Sequence, residues 1–165
     1  MLFIRSEWSP VSGGPIQLEF RVGRNSTGMI GSDGKFAGRY DMKTILIVDD
    51  SSTMRRMIAA SLRDLQNIRF DEASSGLEAI ERLALNSVDL IMLDLNMPDM
   101  HGREVVEFVR KHQGYRGIPI IVLTTRGDDA SRSAVMAAGA TVYLTKPFMP
   151  HLLTAHVREL LESNN

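Results

Sequence analysis

The stretch that decides the fold is Val88-Asp-Leu-Ile-Met-Leu-Asp94-Leu-Asn-Met-Pro98-Asp-Met-His-Gly102. A mostly apolar run, Val88 to Leu93, stops at Asp94, and Pro98 and Gly102 interrupt the chain behind it. Such a run is typical of a strand that is buried on both faces of a parallel sheet. The carboxyl ends of these strands line the crevice where open α/β sheets bind ligands, so Asp94 is a candidate for chemistry. Capping of the following turn or helix is the alternative role for an aspartate here.

On both sides of this stretch, short apolar runs alternate with helical patterns. The predicted strands are Ile45–Val48, Arg69–Ala73, Val88–Leu93, Ile118–Leu123 and Thr141–Leu144. The predicted helices begin near Ser52 and cover Gly76–Leu85, Gly102–Lys111, Asp128–Ala138 and Pro150–Glu162. In each of the first two helices, residues at helical spacing form a stripe that we expect to face the core. The stripe consists of Met54, Met57, Ile58, Ser61, Leu62 and Leu65 in the first helix, and of Leu77, Ile80, Leu83 and Ala84 in the second. Right-handed crossovers between parallel strands then predict an α/β fold, a doubly wound five-stranded parallel sheet with helices on both faces.

Polar residues follow four of the five predicted strands. The first strand ends at Asp49-Asp50, the third at Asp94, the fourth at Thr124-Thr125, and the fifth at Lys146-Pro147. A helix cap or a solvated lysine would account for any one of them. Their joint placement at successive carboxyl ends favours a functional site.

The charges of these residues indicate what the site binds. Two unit charges about 4 Å apart repel by roughly 4 kcal/mol at an effective dielectric near 20, so three clustered carboxylates hold either protons or a cation. Oxygen-only ligands suit Mg²⁺, which also coordinates phosphate oxygens. Lys146 adds a positive charge, and the Thr124 hydroxyl can donate to a phosphoryl oxygen. The set is suited to phosphoryl transfer onto a carboxylate.

Composition limits the function classes. The 165 residues are 44% hydrophobic and 24% charged, which is enough for one ordinary core. With 19 Lys and Arg against 20 Asp and Glu, no basic surface for nucleic acid is indicated. No cysteine is present, and no run of about 18 apolar residues that would insert into a membrane. We therefore expect a cytoplasmic protein with neither nucleic-acid binding nor membrane insertion.

The first part of the chain differs from the rest. Residues 1–41 carry seven of the 13 glycines and show no helical periodicity. Apolar and polar residues alternate from Ile16 to Val22, which indicates a strand, but no clear partner strand precedes Gly23. We expect residues 1–41 to be a flexible or weakly structured extension and residues 42–165 to form the domain.

The motifs resemble those of a known family. They are Leu-Ile-Val-Asp49-Asp50-Ser-Ser-Thr-Met-Arg-Arg, Leu-Asp94-Leu-Asn-Met-Pro98 with Gly102, Leu-Thr124-Thr, Ala-Gly139-Ala and Tyr143-Leu-Thr-Lys146-Pro147-Phe148. In this order and spacing they resemble the receiver domains of response regulators, in particular the single-domain chemotaxis (CheY-like) type, over residues 43–163. The resemblance implies the flavodoxin-like strand order 2-1-3-4-5.

The resemblance also implies roles for the acidic residues. Asp94 would be the phosphoacceptor, taking a phosphoryl group from the phosphohistidine of a histidine kinase or phosphotransfer protein. Asp49 and Asp50 would bind Mg²⁺ with Asp94, and the main-chain carbonyl of Asn96 would be a further ligand.

Other residues would sense the phosphoryl group. Lys146 would contact it, with a cis peptide bond to Pro147. Thr124 would be the switch hydroxyl and Tyr143 the switch aromatic ring. The output would reach a downstream protein through the face formed by the fourth helix, the fifth strand and the last helix of the domain. The resemblance to the chemotaxis type implies a role in chemotaxis or motility, and the protein would be a monomer or weak dimer. Asn96, Thr125 and Arg126 would tune the dephosphorylation rate.

Three alternatives belong to other function classes. A small-molecule phosphatase or phosphotransferase with Asp94 as nucleophile would resemble the haloacid-dehalogenase type, which usually has a second aspartate two residues on, where this chain has Asn96. A flavin or nucleotide carrier is disfavoured because the acidic Asp49-Asp50 turn would repel phosphate. An unphosphorylated scaffold is disfavoured because every group needed for phosphorylation is present.

Overall fold

The computed structural model describes residues 18–22, 26–30, 36–38, 42–125 and 129–163. The chain divides after Met42 into two compact units. None of the described helices is long and apolar enough to cross a membrane.

The first unit contains a small antiparallel sheet. Its strands are β1 (Leu18–Val22), β2 (Ser26–Ile30) and β3 (Phe36–Gly38), in the order β1-β2-β3. The alternating pattern predicted the first strand but no partner, and the structure supplies one in β2, whose Ser-Thr-Gly-Met-Ile sequence lacks that alternation. The pairing does not test the flexibility expected for residues 1–41, which stays a prediction.

The second unit has the predicted architecture. Its strands are β4 (Lys43–Val48), β5 (Ile68–Ala73), β6 (Leu90–Leu93), β7 (Ile120–Thr125) and β8 (Val142–Lys146). They form a parallel sheet in the order β5-β4-β6-β7-β8, which is 2-1-3-4-5 when the strands of this unit alone are counted. The predicted doubly wound α/β fold is confirmed.

Five helices cover the sheet: α1 (Ser52–Ser61), α2 (Gly76–Leu85), α3 (Gly102–Lys111), α4 (Asp129–Ala138) and α5 (Pro150–Ser163). Alternate side chains of each strand point to opposite faces, so Leu46 and Val48 join the core under α2, α3 and α4, while Ile45 and Ile47 join the core under α1 and α5. Both faces of the central strands are therefore apolar, which explains their continuous hydrophobic runs.

The inward face of α2 differs from the prediction. Gly76, Ala79 and Leu83 are buried, whereas Leu77 is 57% exposed and Ala84 is also exposed. Small residues occupy this face because the helix packs closely: a Cβ on Gly76 would lie 2.8 Å from the Cβ of Met100. The prediction was right at Leu83, but it followed the largest apolar side chains and therefore included Leu77 in place of Gly76 and Ala79.

Two smaller predictions were also wrong. In α1, Met57 is 53% exposed, whereas Ile58, on the same predicted stripe, is buried, as is Leu62 directly after the helix. At the start of β6, Val88 and Asp89 lie outside the strand because the Asp89 carboxylate accepts a hydrogen bond from the Thr44 backbone N–H (2.8 Å).

Candidate functional site

The parallel register brings two aspartates together at the carboxyl edge of the sheet. Val48 in β4 pairs with Leu93 in β6, and Asp49 and Asp94 come directly after them. Each continues the ladder by one hydrogen bond, from the Asp49 N–H to the Ala73 carbonyl (3.1 Å) and from the Asp94 N–H to the Val48 carbonyl (2.9 Å). The backbone of the sheet thus holds the two carboxylates side by side.

Lys146, at the end of β8, joins the two carboxylates. Its Nζ lies 2.6 Å from Asp49 Oδ2 and 2.8 Å from Asp94 Oδ2. The lysine side chain is only 7% exposed. Burial acts to lower the pKa of Lys146, but the hydrogen bonds to Asp49 and Asp94 outweigh it, so the pKa is raised above its usual value. The lysine therefore stays charged at neutral pH.

The second oxygen of each carboxylate is held by the backbone. Asp49 Oδ1 accepts from the Ser51 N–H (2.8 Å), and Asp94 Oδ1 accepts from the Asn96 N–H (3.2 Å). Each side chain is therefore fixed at both oxygens, which prepares the site for its ligand.

The acidic group fits a hard divalent cation. Carboxylate oxygens of Asp49, Asp50 and Asp94 all lie within 4.8 Å of one another, with Asp50 exposed and the other two buried. Three carboxylates and one lysine leave a net negative charge, and oxygen-only ligands are those preferred by Mg²⁺. The residues present therefore match a magnesium site.

Thr124, at the end of β7, is engaged with Asn96. The Asn96 Nδ2 group donates to Thr124 Oγ1 and to Thr125 Oγ1, both at 2.9 Å. The Thr124 hydroxyl, which is buried, donates to the Thr125 carbonyl (3.3 Å). In this conformation the hydrogen bonds of the Thr124 hydroxyl therefore go to Asn96 and Thr125. Arg126, the third predicted rate-tuning residue, lies outside the described residues.

Tyr143 lies in β8 and is half-buried. Its ring packs against the core under α2, α3 and α4, and the Arg132 guanidinium lies 5.5 Å from the ring centroid. Its buried hydroxyl has no hydrogen-bond partner within the part of the chain that the structure describes. Farther along the same strand, the Lys146–Pro147 peptide bond is cis, the conformation that the resemblance implies.

Sequence reasoning missed one side chain beside the site. Arg55, in α1, donates from Nη1 to the main-chain carbonyl of Asp49 (2.7 Å) and from Nε to Glu72 Oε2 (2.6 Å). In the sequence, Arg55 stands out only as part of the motif that contains Asp49. An arginine early in a helix carries no sequence signal for a contact that reaches back to the preceding strand end.

Comparisons with known proteins agree with this geometry. The profile of the family described as "Response regulator receiver domain" matches residues 45–158. Among curated relatives, the "Chemotaxis protein CheY homolog" of Campylobacter jejuni is 41% identical over 118 residues, which are 71% of this chain and 91% of that protein. "Chemotaxis protein CheY1" of Helicobacter pylori is 39% identical over 122 residues, 73% of this chain and 98% of that protein.

Solved structures are similar over the same region. Vibrio cholerae chemotaxis protein CheY4 superposes with a TM-score of 0.67 at 35% identity, covering 72% of this chain and 98% of that one. The Mn²⁺-bound form of response regulator Rcp1 has a TM-score of 0.66 at 27% identity, covering 74% and 97%.

Proposed function

The chain belongs to the response regulator receiver domain family, and from this premise we propose that it is a single-domain response regulator whose Asp94 accepts a phosphoryl group in the presence of Mg²⁺. The donor would be the phosphohistidine of a histidine kinase or phosphotransfer protein. The observation that carries the proposal is the buried Lys146 ammonium bridging Asp49 and Asp94 at adjacent strand ends.

Phosphoryl transfer requires little covalent chemistry from the protein. The Asp94 carboxylate attacks phosphorus, and an acyl phosphate forms as the bond from phosphorus to the histidine nitrogen breaks. Lys146 shifts from the carboxylate to the new phosphoryl oxygens. Asp49, Asp50, Asp94 and the Asn96 carbonyl would hold Mg²⁺, which would supply positive charge for the phosphoryl group. The remaining contribution is the positioning provided by the strand ends.

The proposed switch is a shift between two populations. Phosphorylation adds about −1.5 to −2 charges and favours the conformation in which Thr124 and Lys146 reach the phosphoryl group. For this the Thr124 hydroxyl must exchange its present loop contacts, including that with Asn96, for a phosphoryl oxygen. Tyr143 can follow, since its buried hydroxyl would lose no hydrogen bond to the described residues by moving. The face formed by α4, β8 and α5 then changes.

The loop contacts support a role in setting the lifetime of the acyl phosphate. Asn96, Thr125 and Arg126 would flank the path of the attacking water, and we propose that they tune slow autodephosphorylation. Asn96 stands where a haloacid-dehalogenase-type hydrolase has its general acid. We therefore propose a switch rather than a turnover enzyme, with a small-molecule phosphatase or phosphotransferase as the second candidate.

The pathway is inferred from the relatives. Two are named chemotaxis proteins, and the aligned region spans 91% and 98% of them. We propose that this chain acts in chemotaxis or motility by binding a downstream protein through the α4, β8 and α5 face. A cytoplasmic location and a monomeric or weakly dimeric state belong to the same proposal.

The test is phosphoryl uptake from a small donor. Wild type incubated with Mg²⁺ and acetyl phosphate should gain one hydroxylamine-labile phosphoryl group by intact-mass spectrometry, and Asp94→Asn should gain none. The matched control is Asp99→Asn, which removes an exposed aspartate from the same loop and should behave as wild type. Equal labelling of wild type and Asp94→Asn would contradict the proposal.

The same incubation separates the two candidate functions. A small-molecule phosphatase would release many equivalents of phosphate per protein. The proposed regulator will release phosphate only as fast as its acyl phosphate decays.

A further inference from the structure

The acidic turn between β4 and α1 is held from the side by Arg55. The turn consists of Asp49, Asp50 and Ser51, and Ser51 caps α1 by accepting from the Met54 N–H (3.3 Å). From the first turns of the helix, Arg55 reaches back and donates to the Asp49 carbonyl over 2.7 Å. Because Arg55 N–H also bonds the Ser51 carbonyl (3.0 Å), the turn is clamped by both the backbone and the side chain of one residue.

The neighbouring strand holds the arginine in place. Glu72 in β5 accepts from Arg55 Nε at 2.6 Å. The arginine side chain is 15% exposed and that of the glutamate 46%. A charge-assisted hydrogen bond of this length to a largely buried guanidinium restricts its rotamers. Arg55 is therefore anchored at both ends, to β5 by Glu72 and to the turn by the Asp49 carbonyl.

The contact completes the bonding of Asp49. Its N–H bonds to Ala73 O, its Oδ1 to the Ser51 N–H and its Oδ2 to Lys146. The Asp49 carbonyl lies beyond the last residue of β4 and accepts a hydrogen bond from Arg55. Its bond fixes the plane of the Asp49–Asp50 peptide and hence the point from which the Asp50 side chain extends.

Asp50 depends on this arrangement more than the other acidic residues. Asp49 and Asp94 are buried and each bonds Lys146, whereas Asp50 is exposed. An exposed side chain on an unrestrained turn would have to be ordered when a cation binds, at a cost in conformational entropy.

We propose that Arg55, braced by Glu72, is a positioning residue that preorganises the acidic turn for a divalent cation. The inference rests on the proposed function, because it concerns the cation site of that function. A positive charge near a cation site opposes binding. The benefit of Arg55 is therefore geometric, and Glu72 offsets its charge.

Loss of a positioning arginine and loss of a mere positive charge should change the Mg²⁺ affinity in opposite directions. Replacing any nearby arginine by a neutral residue should strengthen Mg²⁺ binding if charge alone matters. Arg56 is the matched control, because it is the next residue of the same helix and is exposed, and its one hydrogen bond to another described residue is a long contact to Ser52 Oγ (3.4 Å). We expect Arg56→Met to bind Mg²⁺ as tightly as wild type or more tightly, and Arg55→Met to bind about tenfold more weakly.

The measurement is a calorimetric Mg²⁺ titration of the unphosphorylated full chain. Arg55→Lys, which can donate to one partner at a time, should fall between wild type and Arg55→Met. Glu72→Gln, which keeps an acceptor but leaves the arginine charge uncompensated, should weaken Mg²⁺ binding several-fold. If thermal unfolding shows that Arg55→Met is not folded, Arg55→Lys decides the matter, because it keeps the positive charge and changes only the geometry. Arg55 and Glu72 variants that bind Mg²⁺ no more weakly than Arg56→Met would overturn the inference.

Measurements on wild type distinguish failure of the positioning role from failure of the proposed function. Phosphoryl uptake and Mg²⁺ binding by wild type, together with an unchanged affinity in the Arg55 variants, would overturn only the positioning role. Wild type that neither binds Mg²⁺ nor takes up a phosphoryl group would overturn the proposed function and this inference together.

Discussion

Two partly buried cations lie at opposite ends of the parallel sheet, and their partners differ in kind. Lys146, at the carboxyl edge, is paired with the carboxylates of Asp49 and Asp94. Arg110, in α3, lies near the amino ends of β7 and β8. Within the described residues it donates only to carbonyls: to Gly139 O (2.8 Å), Ile118 O (2.8 Å) and Arg116 O (3.0 Å). Burial lowers the pKa of Arg110, whereas the carboxylates raise that of Lys146.

The contrast shows that burial of a charge is not by itself a sign of function. Arg110 satisfies neutral dipoles of the Gly139, Ile118 and Arg116 carbonyls, and among the described residues it forms no salt bridge to a carboxylate. Around Lys146 the carboxylates outnumber the lysine, so the site can still take up a cation. We therefore expect changes at the Arg110 end to alter stability alone, and changes at the Lys146 end to alter function.

The largest expected effect on stability is at Arg110. Arg110→Met leaves carbonyls around Gly139 and Ile118 without their donor and should lower the free energy of unfolding by about 3 kcal/mol. Urea denaturation measures the loss, and phosphoryl uptake at a temperature where the variant is folded should match wild type.

An exposed arginine on the same helix is the control for this prediction. Arg103 is 60% exposed and pairs with Glu107 one turn later (2.9 Å). Arg103→Met should cost less than about 0.5 kcal/mol. Equal losses at the two arginines would remove the distinction between a buried structural cation and a surface one.

Gly139 should be the next most sensitive position. Its φ of +112° is disfavoured for L side chains, and an added Cβ would lie 2.8 Å from Arg110 Cγ. Gly139→Ala should destabilise the protein by about 2 kcal/mol. In a double-mutant cycle with Arg110→Met, the two costs should sum to more than the double variant loses, because a methionine that is not held by the carbonyls can move its Cγ away from the added Cβ. Strict additivity would show that the contact does not matter.

At the Lys146 end, removing a charge should raise the stability of the protein instead of lowering it. Asp50 adds a third carboxylate beside two that already share one lysine. Asp50→Asn relieves repulsion and should stabilise the Mg²⁺-free protein by about 1 kcal/mol, while removing the rise in melting temperature that Mg²⁺ gives wild type. Thermal unfolding with and without Mg²⁺ measures both effects. A variant that is less stable than wild type without Mg²⁺ would argue against a repulsive cluster.

The smallest effect should come from a charged group at the surface. Hydrogen bonds from the Ser74 N–H, the Ser74 hydroxyl and Arg82 lower the pKa of Glu78 to about 2. A lowered pKa stabilises the fold above the unfolded value of about 4.5, and this contribution is lost as pH falls toward 2. Because the side chain is 31% exposed, solvent screening limits the contribution to about 1 kcal/mol or less. The difference in unfolding free energy between wild type and Glu78→Gln should therefore be small at pH 7 and absent near pH 2.

The parts of the structure that could be predicted from the sequence are those that a periodic pattern of apolar residues marks. Alternation of strands and helices predicted the sheet, and apolar runs ending in Asp49 and Asp94 predicted which residues meet at its edge. The inward face of α2 did not follow, because Gly76 and Ala79 are buried by a close approach rather than by hydrophobicity. The partner of β1 was missed for a similar reason, since β2 has no alternating pattern.

The long-range polar contacts needed the tertiary structure. The sequence by itself determined the parallel sheet and the acidic edge, because side-chain periodicity and strand direction are local properties that place carboxyl ends together. It did not determine that Asn96 holds Thr124, that Arg55 holds the Asp49 carbonyl, or that Arg110 bonds three carbonyls. Those contacts form only where the donor–acceptor distances between separate elements, here 2.7 to 3.0 Å, are right to within a few tenths of an ångström, and only the packing of helices on the sheet decides that.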